Sequence, residues 1–263
     1  MTEPLSPRNP RVARARELAR DRSAREESGL AVLEGLRLAE EALSAGVPVE
    51  YALCTEQLET RERGAALLDG LRKAGVPVFP VAPDTLDRAA DTQTPQGILA
   101  VFRPRAWRLD EIPPGLVLVL DNLQDPGNLG TIIRSLEAMG GAGLVVTGGV
   151  DPFNPKVIRS AMGSLFRLPV VKAEAGYALQ TLRAQGRVIY VADAGGDLTP
   201  WTARLGKSVA LVIGNEGNGP SDLARSQADG VISIPMPGPT ESLNAGVAAS
   251  LLIYEAMRQR ANR

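Results

Sequence analysis

With 263 residues, 44% of them apolar and only 4% aromatic, the chain can bury one large or two modest cores built from Leu, Val, Ile and Ala. A formal net charge of −1 gives no global attraction to nucleic acid, so any polyanion site has to be a local patch. The absence of histidine excludes a histidine base and a Ser-His-Asp triad, and the lone Cys54 excludes an intrachain disulfide or a zinc-thiolate cluster.

In chain order, "SPRNPRVARARELARDRSAREESG" carries seven arginines from Arg8 to Arg25 and reads as one charged helix. It is either a solvated face laced with i,i+4 pairs or a basic handle for phosphates, with Arg8, Arg11 and Arg14 as candidate substrate contacts. In "GLAVLEGLRLAEEALSAG", Val32, Leu36, Ala39 and Leu43 recur at helical spacing, closed by Gly46 and Pro48. Strand "VEYALCT", helix "RERGAALLDGLRKAG", strand "VPVFPV", short helix "APDTLDRAAD" and strand "GILAVF" complete a small α/β domain, residues 1–102. The Pro-rich, charged stretch 103–115, "RPRAWRLDEIPPG", predicts a linker.

From 116 to 263 the alternation resumes: strand "LVLVLD", a helix from Leu129, strand "GLVVT", and a helix around Lys156–Met162. A strand near Leu168–Val171, a helix near Tyr177–Gln185, and strands "RVIYVAD" and "SVALVIG" come next. A short helix after Pro220, strand "GVISIP" and a helix from Leu243 to Arg260 end the chain. Strands this apolar, separated by helices, imply a parallel sheet covered on both faces. No apolar run approaches the roughly 18 residues of a membrane span, and Met1 opens on polar sequence rather than a signal peptide, so the expectation is a cytoplasmic protein.

Ligands of open α/β sheets bind at the carboxyl ends of strands, and three such ends carry unusual loops: "DNLQDPGNLG", "IGNEGNGPSD" and "IPMPGPTESLNAG". "GNEGNG" lacks the glycine spacing of the dinucleotide fingerprint, and no GKS or GKT marks a P-loop. A ligand held by backbone groups from several loops fits better. On the helix after the first loop, Leu129, Ile132, Ile133 and Leu136 form one apolar stripe, and Arg134 lies roughly 150° from its centre. Arg134 either pairs with Glu137 at i,i+3 or faces a ligand, and Asn128 is placed to N-cap the helix or to act in the site. Glu216 either accepts N–H groups of its own glycine-rich loop or takes part in chemistry.

Together the loops resemble the three motifs of the SpoU/TrmH branch of the SPOUT methyltransferases. The first is carried by Asn122, Asp125-Pro126, Asn128, Gly130 and Arg134, and the second by Gly214-Asn215-Glu216-Gly217 with Gly219. The third is carried by Ile234-Pro235-Met236, Ser242-Leu243-Asn244 and Glu255. "NPKVIRSAMGSLFRLPV" resembles the stretch after the first motif, and "VLEGLRLAEEAL" with "TQTPQGILAVF" resembles the small RNA substrate-binding domain ahead of the catalytic one. The sequence departs from the family at Ala245-Gly246-Val247, where Val-Ser-Val is usual, and at Pro220.

The resemblance implies a parallel-sheet SPOUT domain over 116–263 with a carboxyl-terminal trefoil knot. It implies S-adenosylmethionine as cofactor, no metal, and a homodimer whose two sites each draw on both subunits. Methyl transfer to a ribose 2′-hydroxyl of RNA is the implied reaction, with ribosomal RNA expected from the amino-terminal domain. A non-catalytic RNA-binding or ribosome-assembly protein, transfer RNA as substrate, and a small-molecule enzyme with a nucleotide cofactor are the alternatives. Carried over, Gly214, Asn215, Glu216, Gly217, Ile234, Pro235, Met236, Leu243 and Asn244 hold the cofactor. Arg134, Asn128, Glu216, Ser242 and Asn244 line the reaction centre. Arg134, Lys156, Arg159 and Arg167 join Arg8, Arg11 and Arg14 as RNA contacts. Arg134 is expected to clamp a phosphate and developing alkoxide charge, since a guanidinium is effectively never deprotonated.

Overall fold

The computed structural model describes residues 3–92 and 95–262. It divides into two units, Met1–Arg105 with Phe153–Phe166, and Ala106–Pro152 with Arg167–Arg263.

In the first unit the charged start forms two helices rather than one, α1 (Pro10–Arg20) and α2 (Arg22–Ser28). Asp21 adopts extended backbone, which ends α1, and its side chain accepts from Ser23 N at 2.8 Å to cap α2. The helical spacing that began at Val32 holds only from Leu36. Ala31–Glu34 is a buried strand, β1, and Gly35, at φ 102°, turns the chain into α3 (Leu36–Ser44). Then follow β2 (Val49–Cys54), α4 (Glu56–Glu59), α5 (Glu62–Lys73), β3 (Val78–Pro80), α6 (Pro83–Ala89) and β4 (Ile98–Phe102). Sheet order is β1-β4-β2-β3, with β4 antiparallel to β1 and β2, and β3 parallel to β2. The face of α1 carrying Val12, Ala15 and Leu18 packs into a core with Leu53, Leu86, Leu99 and Val101.

The second unit begins inside the stretch expected to be a linker. Leu109 and Ile112 are buried in its core, Trp107 packs against them, and the buried Arg187 Nη2 donates to Pro113 O at 2.6 Å. Next come β5 (Leu116–Leu120), α7 (Pro126–Ala138) and β6 (Gly143–Val146). After α8 (Pro155–Ala161) follow β7 (Val170–Lys172), α9 (Ala175–Ala184), β8 (Val188–Ala192) and β9 (Val209–Ile213). The chain finishes with α10 (Asp222–Ser226), β10 (Gly230–Ile232) and α11 (Ala245–Ala261). The six strands lie in order β10-β8-β9-β5-β6-β7, and every pairing is parallel. From β5 the chain first winds one way, through β6 and β7, and later fills the other side. β5 and β9 therefore flank a switch point, the place where open sheets leave a crevice beyond their carboxyl ends.

α7 starts at Pro126, three residues before Leu129, and its cap is Asp125, whose Oδ1 accepts from Asn128 N at 2.8 Å. Asn128 is thus inside the helix and its side chain is free for other work. Leu129, Ile132, Ile133 and Leu136 are wholly buried, and Arg134 is exposed on the far side, as their spacing required.

α8 belongs with the first unit. Val157, Ile158 and Ala161 are buried, α8 packs on β1, and Phe166 meets Phe102 edge-on with centroids 5.5 Å apart.

Candidate active site

The three loops singled out in the sequence follow β5, β9 and β10 and converge at the carboxyl ends of those strands. Polar side chains join them. Asn244 caps α11 with Oδ1 accepting from Gly246 N (2.9 Å) and Val247 N (3.2 Å), which leaves its Nδ2 to donate to Asn128 Oδ1 at 2.9 Å. With its oxygen so engaged, Asn128 turns Nδ2 to Glu216 Oε1 at 3.0 Å. Glu216 also accepts from the backbone N–H of Gln124 (3.0 Å) and Asp125 (3.0 Å). A cap at one end and a carboxylate at the other fix both amide orientations.

The side-chain and cross-loop donors to Glu216 thus lie on the loop after β5 and on Asn128. Burial raises its pKa, but the donors from Asn128, Gln124 and Asp125 outweigh that and hold it below the ordinary carboxylate value. The carboxylate is a tie between loops and a weak base.

Asn215 organises the second loop from within. Its Oδ1 accepts from Gly217 N (2.9 Å) and Asn218 N (3.1 Å), and Nδ2 donates to Asn122 O (3.0 Å). Asp121, at the end of β5, is buried and accepts from Ser221 N at 2.7 Å. A Cβ on Gly214 would collide with the backbone of Gly219 and Pro220, so this turn admits only glycine. Gly214→Ala is therefore expected to cost about 1–3 kcal/mol and to open the loop. Thermal denaturation with and without cofactor checks this, and the ligand-induced rise in Tm should vanish.

These ties surround a cavity of about 600 Å³, within the range of small-molecule sites. Of the residues expected to hold cofactor, Gly214, Asn215, Glu216, Gly217, Ile234, Met236, Leu243 and Asn244 line it, and so does Ser242. Pro235 does not, although both its neighbours do. Asn128 stands behind the wall, joined to it through Glu216 and Asn244. Gly246 packs against that amide chain, since a Cβ there would lie 3.2 Å from Asn244 Oδ1 and 3.4 Å from Asn128 Oδ1.

Apolar walls from Ile213, Ile232, Ile234 and Leu243, with backbone of a glycine-rich loop on one side, suit an adenosine and a methionine chain. They supply apolar contact and hydrogen-bonding peptide groups.

Residues 115–254 match the SpoU rRNA Methylase family, and residues 9–100 match the MRM3-like substrate binding domain. The chain belongs to the SpoU rRNA methylase family. It is 35% identical, over 97% of its length and 92% of the relative's, to the 23S rRNA (uridine(2479)-2′-O)-methyltransferase of Streptomyces viridochromogenes. Among solved structures it resembles the SpoU methyltransferase AviRb from S. viridochromogenes in complex with AdoMet. There the TM-score is 0.89 and the identity 34%, covering 97% of this chain and 99% of that one. The AdoMet-bound rRNA methyltransferase from Sinorhizobium meliloti gives 0.87 and 29%, covering 98% and 97%. This SpoU methylase is accordingly an S-adenosylmethionine-dependent RNA 2′-O-methyltransferase.

Arg134 does not line the cavity of its own chain. It is exposed and its side chain makes no hydrogen bond or ion pair among the described residues; Glu137, its suggested partner, binds Arg167 at 2.8 Å. Arg11 stacks over Phe79 at 4.5 Å, Arg14 pairs with Glu17 at 2.6 Å, and Arg159 pairs with Asp91 at 2.7 Å. Arg8 and Lys156 are exposed without such partners among the described residues. Arg16, another of the amino-terminal arginines, is exposed and its side chain is similarly unpaired among the described residues. Asp193, which the three loops did not include, lines the cavity. The aspartate that ends "RVIYVAD" could have been found by applying the strand-end rule to β8 as well.

Proposed function

We propose that this SpoU methylase transfers a methyl group to a ribose 2′-hydroxyl of ribosomal RNA, as a cytoplasmic homodimer with shared active sites. The observation that carries the reading is the Asn244–Asn128–Glu216 chain, which draws loops from β5, β9 and β10 around one cofactor-sized cavity. The named activity of the Streptomyces relative supports ribosomal RNA. The trefoil knot belongs to the same reading.

When bound, S-adenosylmethionine supplies an electrophilic methyl group. The chain's own residues must position the ribose oxygen in line with it and help that oxygen lose its proton. Glu216 holds the loops and is a poor acceptor. Arg134 clamps the phosphate beside the target ribose and stabilises developing alkoxide charge, and the proton leaves to water. Arg8, Lys156 and Arg16 supply further phosphate contacts.

A second copy explains why Arg134 lies outside its own cavity. α7 and α11 pack side by side, with Ser135 Oγ 2.9 Å from Ser250 Oγ. Each helix shows an exposed row roughly 70° outward from that contact. The rows are Thr131, Arg134 and Ala138 on α7, and Val247, Leu251 and Tyr254 on α11. Those α11 side chains are 48%, 47% and 53% exposed. An unpartnered apolar row beside a free guanidinium suits an isologous interface that delivers Arg134 to the partner's cavity. Leu251→Asp is expected to yield a monomer in sedimentation and to abolish methyl transfer while the fold, by circular dichroism, persists.

The reading is tested by mapping 2′-O-methyl positions in total RNA from cells with and without the protein. A ribosomal position that disappears with the gene is expected. Loss confined to transfer RNA reassigns the substrate, and no change at any position refutes the activity.

A further inference from the structure

We propose that Asp193 is an additional cofactor-binding residue whose carboxylate accepts hydrogen bonds from the adenosine moiety, with Arg225 as the positioning residue that aims it. The proposal rests on the cofactor reading above and adds one contact to it.

Asp193 directly follows β8 and lines the cavity. Its N–H donates to Ile232 O at 3.0 Å, which fixes it between the ends of β8 and β10. Oδ1 accepts from Gly195 N at 2.9 Å and Oδ2 from Arg225 Nη2 at 2.6 Å. An ionised carboxylate offers about four lone-pair sites, so roughly half remain for a ligand. The hydrogen bond from Arg225 holds this carboxyl below its ordinary range, so at neutral pH it is an acceptor only.

Arg225 does more than neutralise. Its Nε donates to Pro220 O at 3.3 Å, so one guanidinium joins the loop after β9 to the end of β8. Gly219, at φ 68°, lets the backbone close over this pair. A Cβ there would lie 3.4 Å from both Arg225 Nη2 and Asp193 Oδ2.

Position selects the part of the ligand. β9 separates β8 from β5, so Asp193 sits about two strand spacings, roughly 10 Å, from the loop that Glu216 holds. Asn128, Glu216 and Asn244 mark the reacting side, beside α7 and α11. Asp193 marks the opposite side, among Ala192, Ala194, Ile213 and Ile232, where a flat apolar ring fits and its ribose or amino donors meet a carboxylate.

Calorimetric titration with S-adenosylmethionine and with 5′-methylthioadenosine, which keeps the adenosine but lacks the amino-acid chain, tests this. Asp193→Asn is expected to weaken both ligands by the same factor, at least tenfold, with Tm little changed. Wild-type affinity in the variant overturns the proposal. So does a loss seen for S-adenosylmethionine alone, which assigns Asp193 to the ammonium group. A wild-type protein that binds neither ligand overturns the cofactor reading itself. If Asp193→Asn fails to fold, Arg225 carries the test. Arg225→Met should weaken both ligands several-fold and Arg225→Lys should recover part of the loss, whereas equal affinity in all three proteins refutes the assignment.

Discussion

Replacing Arg134 by alanine is expected to slow single-turnover methyl transfer by about two to three orders of magnitude, the usual effect of removing one preorganised transition-state donor. Cofactor affinity and Tm should stay at wild-type values, because Arg134 is exposed, has no intramolecular partner among the described residues and does not line its own cavity. Arg134→Lys keeps the charge but loses the two-pronged guanidinium fork, so it should recover little of the rate. Near-wild-type turnover in the lysine variant would mean that charge alone suffices. Mixed dimers test the shared site. Arg134→Ala and Gly214→Ala protomers each spoil a different half, so mixing equal amounts should restore roughly a quarter of wild-type activity from the one intact site in each heterodimer. No recovery on mixing would place Arg134 and the cavity it serves in one subunit.

The second large effect is expected at Glu216. Glutamine there points an amide N–H₂ at some of the N–H groups of Gln124, Asp125 and Asn128, which now converge on a carboxylate. A hydrogen bond to a charged group contributes about 1.5–3 kcal/mol when well shielded, and the partial exposure of Glu216 reduces that. Glu216→Gln should still weaken cofactor binding at least tenfold and slow turnover about a hundredfold. A general-base role predicts otherwise, with turnover lost and cofactor affinity intact. Acidity gives the same test without mutation. The folded-state pKa of Glu216 lies below its unfolded value, so its stabilisation is complete above the unfolded carboxylate range, near 4.3. It is lost as pH falls through the lowered folded value. Cofactor affinity should therefore hold at pH 5 and fade only in more acidic solution, as titration at several pH values would reveal.

The positions of the catalytic loops are legible in the sequence itself. Glycines and amides at the ends of apolar strands have few uses other than close backbone approach to a ligand, and the stripe Leu129, Ile132, Ile133 and Leu136 set the outward direction of Arg134. What could not be read was pairing across the chain. Glu216 and Gln124 are 92 residues apart, and nothing in either loop names the other. Asn128 has the side chain of a helix cap, and the choice of Asp125 instead depends on Pro126 starting the helix three residues earlier. Ala31–Glu34 reads as helix in sequence because Val32 stands four residues before Leu36, and only pairing with β4 settles which period governs. Asp193 opens a loop with glycines and a proline of its own, Gly195, Gly196 and Pro200, so the strand-end rule applies to β8 as it does to β5, β9 and β10.

The placement of α8 bears on how this protein can be taken apart or recombined. Between residues 105 and 167 the backbone leaves the first unit, returns to it for Phe153–Phe166 and leaves again. A recognition module cut at Arg105 would lose the side chains that cover β1 and Phe102. The catalytic portion alone would carry Val157, Ile158, Ala161 and Leu165 without the surface that buries them. The first unit is thus built from two separate stretches of chain, and exchanging it for a foreign RNA-binding head requires replacing both together.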